Sequence, residues 1–194
     1  VVMVKKKDGT QRFCIDYRRL NAVTKRDTYP LPDINEMLQM LHGAAYFTSL
    51  DLKSGYWQIK VKEEDREKTA FTIGKDLYQF KKMPFGLTNA PASFQRCMNF
   101  VTHGIKQCMV YIDDLLIYSG TFEQHLIDIR NVFVRLKQWK LKLKPSKCDW
   151  AKERVTFLGH IVSAKGKEPD PRNVEKIKNC PIPKTVTQVQ EFLG

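Results

Sequence analysis

The run VYIDDLLIYS, Val110 to Ser119, sets two adjacent aspartates, Asp113 and Asp114, among residues that favour a buried strand. Neighbouring carboxylates repel each other and resist desolvation, so an apolar run accepts them only against some offset. Two readings stand. In one, MVYI and LLIYS pair antiparallel and Asp113-Asp114 is the polar turn between them, a place where Asp is acceptable. Such a tight turn favours Gly or Asn at positive φ; with no Gly here, it would carry strain. In the other, a divalent cation offsets both strain and repulsion. Mg2+ takes hard oxygen ligands and is held by one or two carboxylates together with substrate phosphates. Asp51, in SLDL, is the third acid of that reading, although alone it reads more readily as a helix N-cap or loop acid. Two strands aiming these acids at one point could hold two metals roughly 3.5–4 Å apart, clamping the attacking and leaving oxygens of a phosphoryl transfer.

The acids need strands and helices around them, and the patterning supplies both. VVMVKKKDGTQRFCIDY predicts a hairpin turning at Asp8-Gly9. TYPLP is an extended connector, after which Asp33 caps a helix in a capping-box-like pattern with Glu36. Ile34, Met37, Leu38 and Leu41 form its apolar face and Gly43 ends it. AYFTSLDL is a strand running into Asp51, and residues 70 to 81 form a second hairpin. Pro91 stands near the start of a helix bearing Phe94, Met98 and Val101. Beyond the paired aspartates, Phe122, Leu126, Ile129, Phe133 and Leu136 recur at helical spacing and predict the buried face of a long helix. RVTFLGHIV adds short strands, and the tail is Pro-punctuated and helical. Strands that pair mostly as hairpins, with helices at irregular intervals, place the fold in the α+β class, an antiparallel sheet with helices on one face.

The chain has 194 residues, and its 33 basic against 21 acidic residues give a formal charge of +12, which favours a polyanionic partner over a membrane surface. Five cysteines (Cys14, Cys97, Cys108, Cys148, Cys180) without CxxC spacing argue against a disulfide framework or a structural zinc site. No signal peptide and no bilayer-length apolar run is present, so an intracellular setting is expected. The chain opens within a strand and closes on QEFLG within a helix, which is the expectation for part of something longer. A basic surface beside a carboxylate site reads as chemistry on nucleic acid.

SLDLKSGYWQI, MPFGLTNAPASFQ, YIDD and FLGH, in that order and spacing, resemble a reverse transcriptase. MPFGL, NAPASFQ and QEFLG are most similar to gypsy-type LTR retrotransposon pol polyproteins, and the resemblance covers essentially the whole chain. It implies the fingers and palm of a right-hand polymerase: fingers at 1–26 and 60–89, palm at 27–59 and 90–163, and the start of a truncated thumb at 164–194. It implies two Mg2+ ions, with Mn2+ as an alternative, held by Asp51 and Asp113 with the Leu52 carbonyl, while Asp114 completes the acidic cluster. The implied partners are an RNA or DNA template with its primer and an incoming dNTP. The rest of a pol polyprotein (most of the thumb, RNase H, integrase) lies outside this chain. The implied setting is the cytoplasm or a retrotransposon particle, with the nucleus as a further compartment.

By the same resemblance Lys6 and Arg12 bind the triphosphate from a basic fingertip. Tyr56 stacks under the sugar and blocks a 2′-hydroxyl. Gly86 allows close backbone approach to nucleotide or template, and Phe85 holds a nucleotide-pocket position where retroviral enzymes carry glutamine. Tyr111 contacts primer–template, Leu158, Gly159 and His160 resemble a primer grip, and Lys147 is a candidate proton donor to pyrophosphate. A truncated element remnant that binds nucleic acid without catalysis is the alternative, motivated by the +12 charge.

Overall fold

Alternation of facing from Tyr46 to Asp51 gives one strand two usable sides, and that strand becomes the hub of the molecule. The computed structural model describes residues 2–5, 9 and 11–193. The chain begins with a hairpin, β1 (Val2–Lys5) and β2 (Gln11–Cys14), followed by the short helices α1 (Arg18–Val23) and α2 (Ile34–Gln39). The hub strand is β3 (Tyr46–Asp51), and a second hairpin, β4 (Phe71–Ile73) and β5 (Asp76–Tyr78), comes after it. Helix α3 (Ala90–Thr102) precedes β6 (Cys108–Tyr111) and β7 (Asp114–Ser119); α4 (Phe122–Gln138) follows them. A meander of β8 (Asp149–Lys152), β9 (Arg154–Phe157), β10 (His160–Ser163) and β11 (Gly166–Pro169) leads to α5 (Pro171–Lys178) and α6 (Val186–Leu193). No helix among the described residues is long and apolar enough to cross a membrane.

The central sheet runs β6-β7-β3-β8, antiparallel throughout. Side chains alternate across it with period two. Leu50, Leu115 and Ile117 pack against Phe94 and Met98 of α3 and Val132 and Leu136 of α4. Phe47, Met109 and Leu116 face the other way, toward Met37 and Leu38 of α2 and Val155, Phe157 and Val162 of β9 and β10. Each such side chain contributes about 1.5–3 kcal/mol by leaving water. The two long helices thus share one face, as expected, and the meander with α2 closes the other. The predicted Asp33 cap forms: its Oδ1 accepts from Asn35 and Glu36 N–H at 2.7 and 3.1 Å. All five cysteines are free thiols.

The expected apolar face of α4 needs correction. Leu136 is buried and Ile129 partly so, but Phe122, Leu126 and Phe133 are exposed. The buried stripe is His125, Asp128, Val132 and Leu136. Spacing alone favours the apolar stripe, but the sheet beneath carries polar partners, Thr48 and Ser119, for His125 and Asp128. Thr48 Oγ1 lies 2.8 Å from His125 Nε2, and Ser119 Oγ lies 2.9 Å from Nδ1 and donates to Asp128 Oδ2 at 2.7 Å. A buried polar pair that is fully hydrogen-bonded can displace leucine and phenylalanine from the interface.

Candidate active site

The paired aspartates do not share the turn. The hairpin closes between Tyr111 and Asp114, which are opposite each other, so its two loop residues are Ile112 and Asp113, and Asp114 is the first residue of β7. Ile112 takes φ +52°, a left-handed value that a β-branched residue rarely adopts and that a hairpin normally assigns to glycine. The strain expected from sequence therefore exists, one residue earlier than the aspartates.

Gln95 holds the turn. Its side chain is fully buried in α3; its Oε1 accepts from Ile112 N–H at 2.6 Å and its Nε2 donates to the Val110 carbonyl at 3.0 Å. One amide therefore clamps the chain at Val110 and Ile112, where it enters the strained turn. Asp113 is then received by a notch at Gly55, where an added Cβ would stand 2.5 Å from Asp113 Oδ1 and 2.8 Å from Phe94 Cζ. Only a residue without a side chain admits this close approach.

Asp51 ends β3 directly opposite Asp114 of β7. By strand parity the two carboxylates leave the same face of the sheet. Asp51 Oδ2 accepts from Lys147 Nζ at 3.1 Å, an ion pair more open on the lysine side. Burial, and then the Asp51 charge, push the Asp114 carboxyl above the usual range, with Lys147 pulling the other way. The backbone beside Asp51 is fixed too. Its carbonyl accepts from Lys144 N–H at 2.9 Å, Leu52 bridges to Leu143, and the Gln58 amide bonds to both Lys53 and Lys142.

Asp51 and Asp113 open onto one cleft of about 320 Å3, lined also by Leu52, Gly55, Phe85 and Lys147. Its floor is anionic and its rim basic. Among the described residues no three acidic, histidine or cysteine side chains are gathered closely enough to hold a metal alone. Two carboxylates with a neighbouring carbonyl do match Mg2+, which relies on substrate phosphate and water for its remaining ligands. Lys147 already places positive charge against Asp51. The residues present fit the cation.

The remaining predicted positions fall variously. Tyr56 packs against Phe85 and Phe94 with ring centroids 5.1 and 5.3 Å away, so Phe85 and Trp57, not Tyr56, line the cleft. Burial, then the Asp113 charge, push the Tyr56 hydroxyl up to about 12. Gly86 has φ +95°, its carbonyl accepts from Asn21 Nδ2 at 2.8 Å, and it lies against Ile15 and Tyr17 instead of the cleft. From the N-terminal hairpin, Gln11 and Phe13 reach the cleft. Lys6 and the Arg12 side chain lie outside the described residues. Tyr111 is half-buried at the end of β6. Leu158 and Gly159, at φ +47° and +79°, form the two-residue turn that closes β9 on β10 before His160. Gly55, Gln95 and Lys144 are not singled out by sequence, because each acts through a partner far along the chain: Asp113, Ile112 and Asp51.

Residues 4–162 fit the model described as reverse transcriptase (RNA-dependent DNA polymerase). The chain belongs to the reverse transcriptase family. Its similarity to the retrovirus-related Pol polyprotein from transposon 297 of Drosophila melanogaster is 43% identity over all of this chain and 19% of that protein. Transposon opus of the same species gives 44% over 94% of this chain and 18% of the relative. The Schizosaccharomyces pombe transposon Tf2-3 polyprotein gives 36% over the whole chain and 15% of its own length. The chain thus spans under a fifth of these relatives, and the likeness to LTR retrotransposon pol polyproteins is borne out; the gypsy type is consistent with it. Among solved structures, the foamy viral protease-reverse transcriptase in complex with double-stranded DNA superposes with TM-score 0.92, at 27% identity over 99% of this chain and 34% of that one. The foamy viral protease-reverse transcriptase in complex with an RNA/DNA hybrid gives TM-score 0.86 and 26% identity over 99% of this chain and 26% of that one. The reverse transcriptase fold, fingers-and-palm α+β, is therefore that of this chain.

Proposed function

We propose that this chain is the fingers and palm of an RNA-directed DNA polymerase of a retrotransposon pol polyprotein, adding dNTPs to a primer 3′ end. The observation that carries the reading is the convergence of Asp51 and Asp113 on one cleft, with Asp114 opposite Asp51. The fingers are residues 1–26 and 60–89, the palm 27–59 and 90–163, and 164–194 begin the thumb. Support for the template–primer as partner comes from the foamy viral neighbours, whose structures hold double-stranded DNA and RNA/DNA hybrid.

Asp51 and Asp113, with the Leu52 carbonyl, would hold two Mg2+ or Mn2+ ions, which supply charge neutralisation at the transferring phosphate and activation of the primer hydroxyl. The chain's own contribution is position and electrostatics. Gln95 and Gly55 fix where the Asp113 carboxylate stands, and the β3–β7 ladder fixes Asp51 relative to Asp114. Lys147, in the cleft beside Asp51, would serve as proton donor to the departing pyrophosphate. Phe85 and Trp57, in edge contact at 5.9 Å, wall the cleft and limit water. Leu158, Gly159 and His160 form a tight hairpin tip that would hold the primer end, and Tyr111 would contact the primer–template. Work in the cytoplasm or a retrotransposon particle follows from this reading.

Primer extension on RNA and DNA templates with Mg2+, beside an Asp113→Asn variant, tests it. Extension by the native chain, lost in the variant, is expected. Equal extension by both would overturn the assignment of Asp113, while salt-sensitive binding with no extension by either would favour a nucleic-acid-binding remnant.

A further inference from the structure

The outer surface of the palm carries a groove that the proposed chemistry does not use. Its floor is apolar and contiguous: Phe133 and Leu136 of α4, then Leu141 and Leu143 of the segment that returns to β3. Its volume is about 870 Å3, in the range of built ligand grooves. Four lysines, Lys53, Lys137, Lys140 and Lys142, stand around it. All four are exposed, and none makes an ion pair among the described residues, whereas Lys62, Lys68 and Lys147 do. Among the described residues, none that lines the groove is acidic.

The way the groove is built adds a second observation. Helix α4 ends in a Schellman turn: Leu141 N–H donates to the Leu136 carbonyl at 2.9 Å and Lys140 N–H to the Lys137 carbonyl at 3.0 Å. That turn brings Leu136 and Leu141 together as the floor. Its left-handed position, where glycine sits without strain, is held instead by Lys140 at φ +57°. The turn thus places an unpaired cation at the rim of an apolar surface. Nearby Phe133 is pinned by Trp150 in edge contact at 5.7 Å, so the floor is set before anything binds.

We propose that this groove docks an acidic amphipathic helix, its apolar side against Phe133, Leu136 and Leu141 and its Asp or Glu residues against the lysine rim. Charge complementarity selects the partner: an apolar floor alone fits any greasy segment, but four unanswered ammonium groups penalise a basic or neutral one. A single-stranded nucleic acid is the less suited occupant. Such strands stack bases on open aromatic faces, and this floor is aliphatic apart from a phenylalanine already engaged by a tryptophan. Helix-in-groove recognition needs only spaced apolar anchors and a flanking charge pattern.

The test is selection from a display library of randomised segments about 15 residues long, the length at which a helix becomes marginally stable. The full 194-residue chain is the target, and the Lys137→Glu/Lys140→Glu variant is the counter-target. Enriched segments should show apolar residues at helical spacing flanked by Asp or Glu, and their synthetic forms should bind the double variant about tenfold or more weakly. Lys140→Gly serves as the fold control: relief of the left-handed strain should leave the melting temperature unchanged or raised while affinity falls. Enrichment without acidic bias, or equal affinity for native chain and double variant, would overturn the proposal. So would displacement of a selected segment by a single-stranded DNA oligonucleotide whose own binding the lysine substitutions weaken, which would make the groove a nucleic-acid surface.

Discussion

Gln95 Oε1 accepts a 2.6 Å hydrogen bond from the N–H of Ile112, the residue held at φ +52° in the turn that presents Asp113. A left-handed β-branched residue costs on the order of 1–3 kcal/mol, and a buried, hydrogen-bonded amide is the group that meets that cost here. Gln95→Leu should therefore release the turn and lower primer extension by about tenfold. The diagnostic is rescue. Ile112→Gly removes the strain at its source, so in that background Gln95→Leu should cost much less. If the two substitutions simply add in a double-mutant cycle, the clamp is not what holds Asp113.

Gly55 offers a sharper steric case. A methyl group there meets the Asp113 carboxylate at 2.5 Å and the Phe94 ring at 2.8 Å, and Phe94 is fully buried, so neither neighbour can give way cheaply. Gly55→Ala should cost roughly 1–3 kcal/mol of stability, as overpacking does elsewhere, and abolish most extension because Asp113 moves. Thermal melts with primer extension check both. An alanine variant that extends primers normally would show that the notch is not needed.

Much of this was legible in the chain because local rules and tertiary structure agree there. The Asp33 cap and the hairpins at β1–β2 and β4–β5 follow from residues a few positions apart, although the helix that Asp33 opens ends at Gln39, ahead of the expected stop at Gly43. The carboxylates were legible as types in an improbable setting. What escaped was whatever depends on a partner far along the chain. Asp113 rather than Asp114 occupies the turn because Asp114 pairs with Asp51, a register that lies 63 residues away. Gln95 looked like an ordinary helix residue until Ile112, 17 positions on, turned out to need an acceptor. On α4 the apolar spacing pointed to Phe122, Leu126 and Phe133, while Thr48 and Ser119 rotated the helix toward His125 and Asp128.

Lys147 faces Asp51 at 3.1 Å and so competes with any cation for that carboxylate. Lys147→Met should lower the Mg2+ concentration needed for half-maximal extension, since a competitor is gone, and at the same time lower the maximal rate if Lys147 supplies the proton to pyrophosphate. Titrating Mg2+ at saturating dNTP separates the two effects. A lowered rate with an unchanged Mg2+ requirement would mean that the ion pair does not compete. An unchanged rate would remove Lys147 from the proton transfer.

His125 makes stability depend on pH in a direction that its bonds dictate. Ala151 N–H donates to Thr48 Oγ1 at 2.9 Å, which leaves the Thr48 hydroxyl hydrogen for His125 Nε2. Ser119 gives its hydroxyl hydrogen to Asp128, so it accepts from the other imidazole nitrogen, Nδ1–H. One neutral tautomer satisfies every group, and a second ring proton would leave the Thr48 hydroxyl hydrogen without its acceptor at Nε2. Burial accordingly lowers the His125 pKa, against the opposing pull of the Asp128 charge. Its native pKa lies below the unfolded value of about 6.5, so the unfolded chain binds more protons between the two. The contribution is present above about pH 6.5 and is lost as pH falls through the lowered native value. Melting temperature should fall by about 2–4 °C for each kcal/mol lost in a chain of this size. Melts between about pH 7.5 and 5 on the native chain and on His125→Gln read the effect. The variant should be less stable at neutral pH and show a shallower acid decline, and an identical slope in both would place the titrating group elsewhere.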